Sequence, residues 1–230
     1  MFVGHYGVSF ASKRVEPSIP LWVLFLAVQF LDVLWSTFVL LGIEKVRIVP
    51  GITATNPLDL YYMPYTHGLV TALLWSIVGG LLYRMIARPS RPLASVIVGL
   101  AVFSHWVLDL IVHRPDLPLY DNTAKVGFGL WNAPVIAFAL EAALFFGGVW
   151  LYLRGRLARS VGTLGFGTAM FGVQAYVFFG PPPVSDRAIA WTALVSYVAF
   201  AVIIWWLQDR RPSARDILSS PHVARDTPPV

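Results

Sequence analysis

Six stretches of about twenty apolar residues, separated by short polar connections, leave this chain few ways to fold. A helix rises about 1.5 Å per residue, so some twenty residues cross the roughly 30 Å hydrocarbon core of a bilayer. The runs lie at roughly 19 to 43, 66 to 87, 93 to 113, 132 to 153, 161 to 180 and 187 to 207. The expected fold is therefore all-α, a polytopic transmembrane helix bundle of about six spanning helices. Charged residues make up only 13% of the chain, about half their share in soluble domains. The first run is too long for the apolar core of a cleavable signal peptide, so it reads as a retained helix.

The connections give the bundle an orientation. Lys13 and Arg14 precede the first helix, Arg84, Arg88 and Arg91 follow the second, Arg154, Arg156 and Arg159 follow the fourth, and Arg210, Arg211 and Arg215 follow the last. All fall on one side, which the positive-inside rule makes cytoplasmic, with both termini there too. This distribution accounts for the net charge of +5 without an anionic polymer, and nucleic acid is not an expected partner. The bilayer is. Residues 1–210 form a single transmembrane domain, and 211–230, rich in Pro, Ser, Asp and Arg, form a mobile cytoplasmic tail that includes His222. The longer outer connections, 44 to 65 and 114 to 131, carry Tyr61, Tyr62, Tyr65, Tyr120 and Trp131, suited to an interfacial belt and to a lid over a site that opens outward. Pro181, Pro182 and Pro183 stop the fifth helix.

Inside the apolar runs sit groups that lipid does not tolerate alone. His105, Asp109 and His113 are spaced four apart, which keeps them on one helix face. Each ionisable group at the bilayer centre costs roughly 2.5 to 3.5 kcal/mol on insertion scales, so the set requires partners, water or a metal ion. Counting along each helix puts Asp32 and His105 about 18 Å above the cytoplasmic end. Glu141 reaches a similar level from the opposite direction. His67 and His113 lie nearer the outer surface, and one crevice can hold all six. Gln29 and Ser36 share the Asp32 face. His5 belongs to a weakly apolar segment that is either an interfacial helix or a re-entrant half helix long enough to reach Asp32.

A divalent cation is a physical reason to gather imidazoles and carboxylates in an apolar surrounding. The chain has no cysteine, so the ligands available are His, Asp and Glu, a mixed nitrogen and oxygen set that favours zinc, with manganese or iron as alternatives. The bland reading is interhelical hydrogen bonding, pairing His105 with Glu141 or Asp32. The segment His113, Arg114, Pro115, Asp116 fits either an anion clamp or a surface Arg–Asp pair. Neither a phosphate-binding glycine loop nor a Gly-x-Ser-x-Gly elbow occurs.

An N-terminal Gly4-His5, Asp32 in the first long helix, Tyr65-Thr66-His67 opening the second, and Ser104-His105-x-x-Leu108-Asp109 in the third together resemble the bacterial family of predicted membrane-bound metal-dependent hydrolases. The resemblance covers about residues 4 to 120. It implies a metal site formed by His5, Asp32, His67, His105 and Asp109, and a hydrolytic activity in a bacterial inner membrane. Some members carry a Pro-Asp-x-Asp-His cluster and a His-Arg-Gly-x-Thr-His-Ser string; here the matching places read Leu31-Asp32-Val33-Leu34 and Tyr62-Met63-Pro64-Tyr65-Thr66-His67-Gly68. The ligand order is also similar to that of zinc phospholipases C and single-strand-nuclease-like phosphoesterases. The expected activity is thus hydrolysis of a phosphoester or lipid-like ester by a metal-activated water, on an amphiphilic or phosphorylated small molecule. Glu141 or His113 would act as general base or acid. Two other readings use the same residues: a proton- or cation-conducting transporter or channel, and a non-catalytic membrane scaffold.

Overall fold

The computed structural model describes residues 1–154 and 160–208. Arg156, Arg159, the basic cluster after residue 208 and the 211–230 tail with His222 lie outside the described residues. The chain is a helical bundle, as the apolar runs predict. Among the described residues five helices are long and apolar enough to cross a membrane: α4 (Leu69–Ala87), α5 (Pro92–Val112), α6 (Pro134–Leu153), α7 (Ser160–Phe179) and α8 (Asp186–Gln208). Two shorter helices, α2 (Leu21–Val28) and α3 (Phe30–Leu40), meet at an angle of 55° and together have the length and apolarity of a sixth, as a broken span or a re-entrant loop.

That bend departs from the single helix expected over 19 to 43. No proline or glycine causes it. Gln29 leaves helical geometry (φ −106°, ψ 9°), and tertiary contacts hold the bend: the Gln29 amide donates to the Phe2 carbonyl at 3.1 Å, and the Val28 carbonyl meets His105 Nδ1 at 2.7 Å. A kink sustained by inserted side chains is a known alternative to one built on proline.

Preceding the spans is α1 (Gly4–Val15), twelve residues long and thus too short to cross a bilayer. Its first turns are buried, and it crosses α6 almost backbone to backbone. A Cβ at Gly7 would run into the Leu144 carbonyl, and one at Gly148 into the backbone of Gly7. Small residues permit this approach, as they do between membrane helices generally. In consequence the first residues sit inside the bundle, with the Met1 nitrogen 2.6 Å from Asp109 Oδ1.

The lipid-facing surface is plainest on α4, where Leu73, Leu74, Ile77, Leu81, Leu82, Met85 and Ile86 are exposed. Such a belt is stable only in an apolar solvent. Around the basic half of the bundle, Tyr6, Phe10, Phe25, Phe145 and Tyr152 fill a core from which water is excluded. At the opposite end the 44 to 65 connection folds into an antiparallel hairpin, β1 (Lys45–Ile48) and β2 (Leu58–Tyr62), pairing Arg47 with Asp59. Below it lies a second core of Trp35, Met63, Val112, Leu117 and Trp131. Trp131 is therefore buried against the His113 ring, centroids 4.3 Å apart, and does not belong to an interfacial belt.

Candidate metal centre

Five elements deliver side chains to one point between the two cores. α1 supplies His5 in its first turn, α3 supplies Asp32 directly after the bend, the turn before α4 supplies His67, and α5 supplies His105 and Asp109 with His113 at its end. From α6, Glu141 faces the same region. His5, His67, His105, Asp109, His113 and Glu141 are all buried, Asp32 nearly so.

Asp109 is the hub. Its Oδ1 lies 3.2 Å from His5 Nε2, while its Oδ2 lies 3.1 Å from His105 Nε2, 3.4 Å from His113 Nε2 and 3.7 Å from His67 Nε2. Asp32 Oδ1 lies 3.3 Å from His67 Nε2 and 3.5 Å from His105 Nε2. The His5 and His105 rings stack in parallel, with centroids 4.0 Å apart.

The outer ring nitrogens fix which nitrogen faces the centre. His105 Nδ1 faces the Val28 carbonyl, which can only accept, so Nδ1 carries a hydrogen and Nε2 is the nitrogen turned inward to Asp109 and Asp32. That nitrogen is buried and has no hydrogen-bond partner. For His67 the chain is longer. The Thr66 hydroxyl lies 2.6 Å from Glu44 Oε2 and 2.8 Å from His67 Nδ1. In its ionised form Glu44 only accepts, so the single hydroxyl hydrogen goes to it and Thr66 must receive Nδ1–H from His67. Burial pushes the Glu44 carboxyl up, against the hydrogen bonds it receives from Thr66 and Tyr65. His113 Nδ1 donates to Asp116 Oδ1 at 2.9 Å.

Two imidazole Nε2 atoms and two carboxylates therefore converge; the Met1 nitrogen meets Asp109 Oδ1, and a metal ion is a physical reason for gathering the rest of the set. Ligand atoms bound about 2.0 to 2.1 Å from one ion at tetrahedral angles stand roughly 3.3 Å apart. Of the six edges such a set would have, the four between the His67 and His105 nitrogens and the Asp32 and Asp109 oxygens run from 3.1 to 3.7 Å. The residues present fit a metal ion, with His5 able to join through Asp109: His5, His105 and Asp109 form one set of candidate ligands, and Asp32, His67 and His105 another, each within 4.8 Å internally.

Supporting partners hold the ligands. Tyr197 on α8 donates to Asp32 Oδ2 at 2.7 Å, and the Trp106 indole donates to the His67 carbonyl at 2.8 Å. Glu141 Oε2 accepts the backbone N–H groups of Phe2 and Gly4, each at 3.0 Å, and so caps α1 and sets His5 in place. Its Oε1 is buried and unpartnered. Arg114 donates to both Asp116 and Asp59, which leaves its fork engaged by two carboxylates and gives the anion-clamp reading no support.

A cavity of about 600 Å³ opens onto the cluster, lined by Asp32, His67, Asp109, His113 and Glu141 at its polar wall and by α7, α8, Trp35, Trp131 and the Pro181–Pro183 turn elsewhere. The sequence reading passed over Glu44, Thr66 as a bonding partner, Tyr197 and the Val28 carbonyl. The only available signal was the Thr66-His67 dipeptide. No family model matches the chain, and neither a curated protein nor a solved structure matches it.

Proposed function

We propose that the protein is a membrane-embedded metal-dependent hydrolase acting on an amphiphilic ester or phosphoester. The observation that carries this reading is the convergence of His67, His105, Asp32 and Asp109, drawn from two candidate ligand sets that share His105, beside a ligand-sized cavity that Asp32, His67 and Asp109 line. His67, His105, Asp32 and Asp109 would hold the ion, with His5 as a further ligand. Zinc suits the donor set best, manganese or iron next. When bound, such an ion lowers the pKa of water and polarises the bond under attack.

The chain's own groups supply the rest. His113, its outer nitrogen engaged by Asp116, turns Nε2 toward Asp109 at the cavity wall and is positioned to give or take a proton. Glu141 keeps one oxygen free for the same purpose. Trp35, Trp131 and the residues of α7 and α8 would receive the apolar part of a substrate and exclude water. We further propose a bacterial inner membrane with the basic connections cytoplasmic, so that the cavity opens outward. The aromatic core around Tyr6, Phe10, Phe25 and Phe145 closes the bundle on the basic side of the cluster, which favours hydrolysis over conduction.

The test is metal content by mass spectrometry on detergent-purified protein beside His105→Ala and Asp109→Ala. Wild type should hold about one equivalent, and both variants should lose it while remaining folded. Metal content unchanged in either variant would overturn the assignment. Hydrolysis of a chromogenic ester panel should disappear in the same two variants.

A further inference from the structure

Resting on the hydrolase reading, we infer that the group cleaved is uncharged, a carboxylic ester or amide carried on an apolar chain, and that Gln174 binds its carbonyl oxygen. Charge excludes the alternative. Asp32, Asp109 and Glu141 line the cavity; among the described residues no lysine or arginine side chain does, and the Met1 amino group that also lines it is engaged by Asp109 Oδ1 at 2.6 Å. One divalent ion and that amino group together no more than balance the three carboxylates, so a phosphodiester or phosphomonoester would bring its own negative charge into a buried wall with no unengaged amino or guanidinium group to receive it. Sites that recognise phosphate usually present arginine forks or lysines. The basic side chains nearest in sequence are engaged: Arg114 with Asp59 and Asp116, Arg47 with Asp59, and Lys125 with the Tyr61 carbonyl.

What the cavity does offer is a neutral donor. Gln174, on α7, is fully buried; its Oε1 accepts the Val3 N–H at 3.3 Å, and its Nε2 has no partner. An amide nitrogen left unpaired in an apolar interior costs about 1 to 3 kcal/mol. A carbonyl oxygen in the cavity would satisfy it, and Val177, Phe178 and Ile189 beside it would cover an alkyl chain. In the reaction this implies, the acyl carbon–heteroatom bond breaks and a carbon–oxygen bond to the water oxygen forms. One water proton passes to the leaving alkoxide or amide nitrogen, giving an acid and an alcohol or amine.

The test uses probes that bind but cannot be hydrolysed to these products. Native mass spectrometry of the detergent-purified, zinc-loaded chain would compare 2-tetradecanone with dodecyl phosphate, metal content being read in the same spectra. The ketone should bind about tenfold or more tightly than the phosphate. Gln174→Leu should weaken the ketone about five- to tenfold, with the ion retained. Equal or tighter binding of dodecyl phosphate, no binding of either probe, or ketone binding indifferent to Gln174→Leu would overturn the inference. Loss of the metal reading is seen separately, as protein that takes up no ion.

Discussion

His105 turns its Nδ1 to the Val28 carbonyl, and that contact decides what its other nitrogen can do. The same logic applies to His67 through Thr66 and Glu44, which yields a prediction for a residue outside the ligand set. Glu44→Gln gives Thr66 an amide in place of a carboxylate, frees its hydroxyl hydrogen for His67 Nδ1, and moves the imidazole proton to the metal-facing nitrogen. Metal affinity should fall about ten- to a hundredfold with the fold intact, measured by competition with a chromogenic chelator. At this scale the sequence is legible where a residue is out of place. Asp32, His105, Asp109 and Glu141 stand out because ionisable groups in apolar runs are costly. Tyr197 does not, since a tyrosine in a membrane helix is unremarkable until a carboxylate is found 2.7 Å away. The Val28 carbonyl is backbone and has no sequence signature at all.

Among the elements, the α2–α3 bend and the α1–α6 crossing do most to build the centre. The bend exposes the carbonyl that His105 uses; the crossing brings His5 to Asp109. Gly7 and Gly148 make that crossing close. Gly148→Leu should push α1 off α6, lower thermal stability in detergent by about 1 to 3 kcal/mol and weaken metal binding. Gly147→Leu, one residue away where an added Cβ meets nothing within 4 Å, should do neither. The six apolar runs announced the spans because twenty apolar residues have few other uses. The bend was hidden because its cause lies in contacts from distant segments, and the 45 to 62 hairpin because the Pro50-Gly51 turn between its strands, with Gly51 at φ +80°, marks a reversal but does not by itself fix the register of two short strands.

For the whole molecule, the centre joins α1, α3, α5 and the turn before α4 at one point, so its ion should contribute to stability. Stripping it with a chelator should lower Tm by about 5 to 10 °C at saturating metal. The loss should be mimicked by acidification, because protons compete with the ion for its ligands. His105→Ala should show no chelator effect. A further consequence concerns the order of assembly. α1 leaves the ribosome before α5 and α6, yet it is too short to span and its seat is made by those two helices, which end at Val112 and Leu153. Until they are inserted, His5 and the Gly7 surface have nothing to meet, so α1 is seated only after helices that are made later.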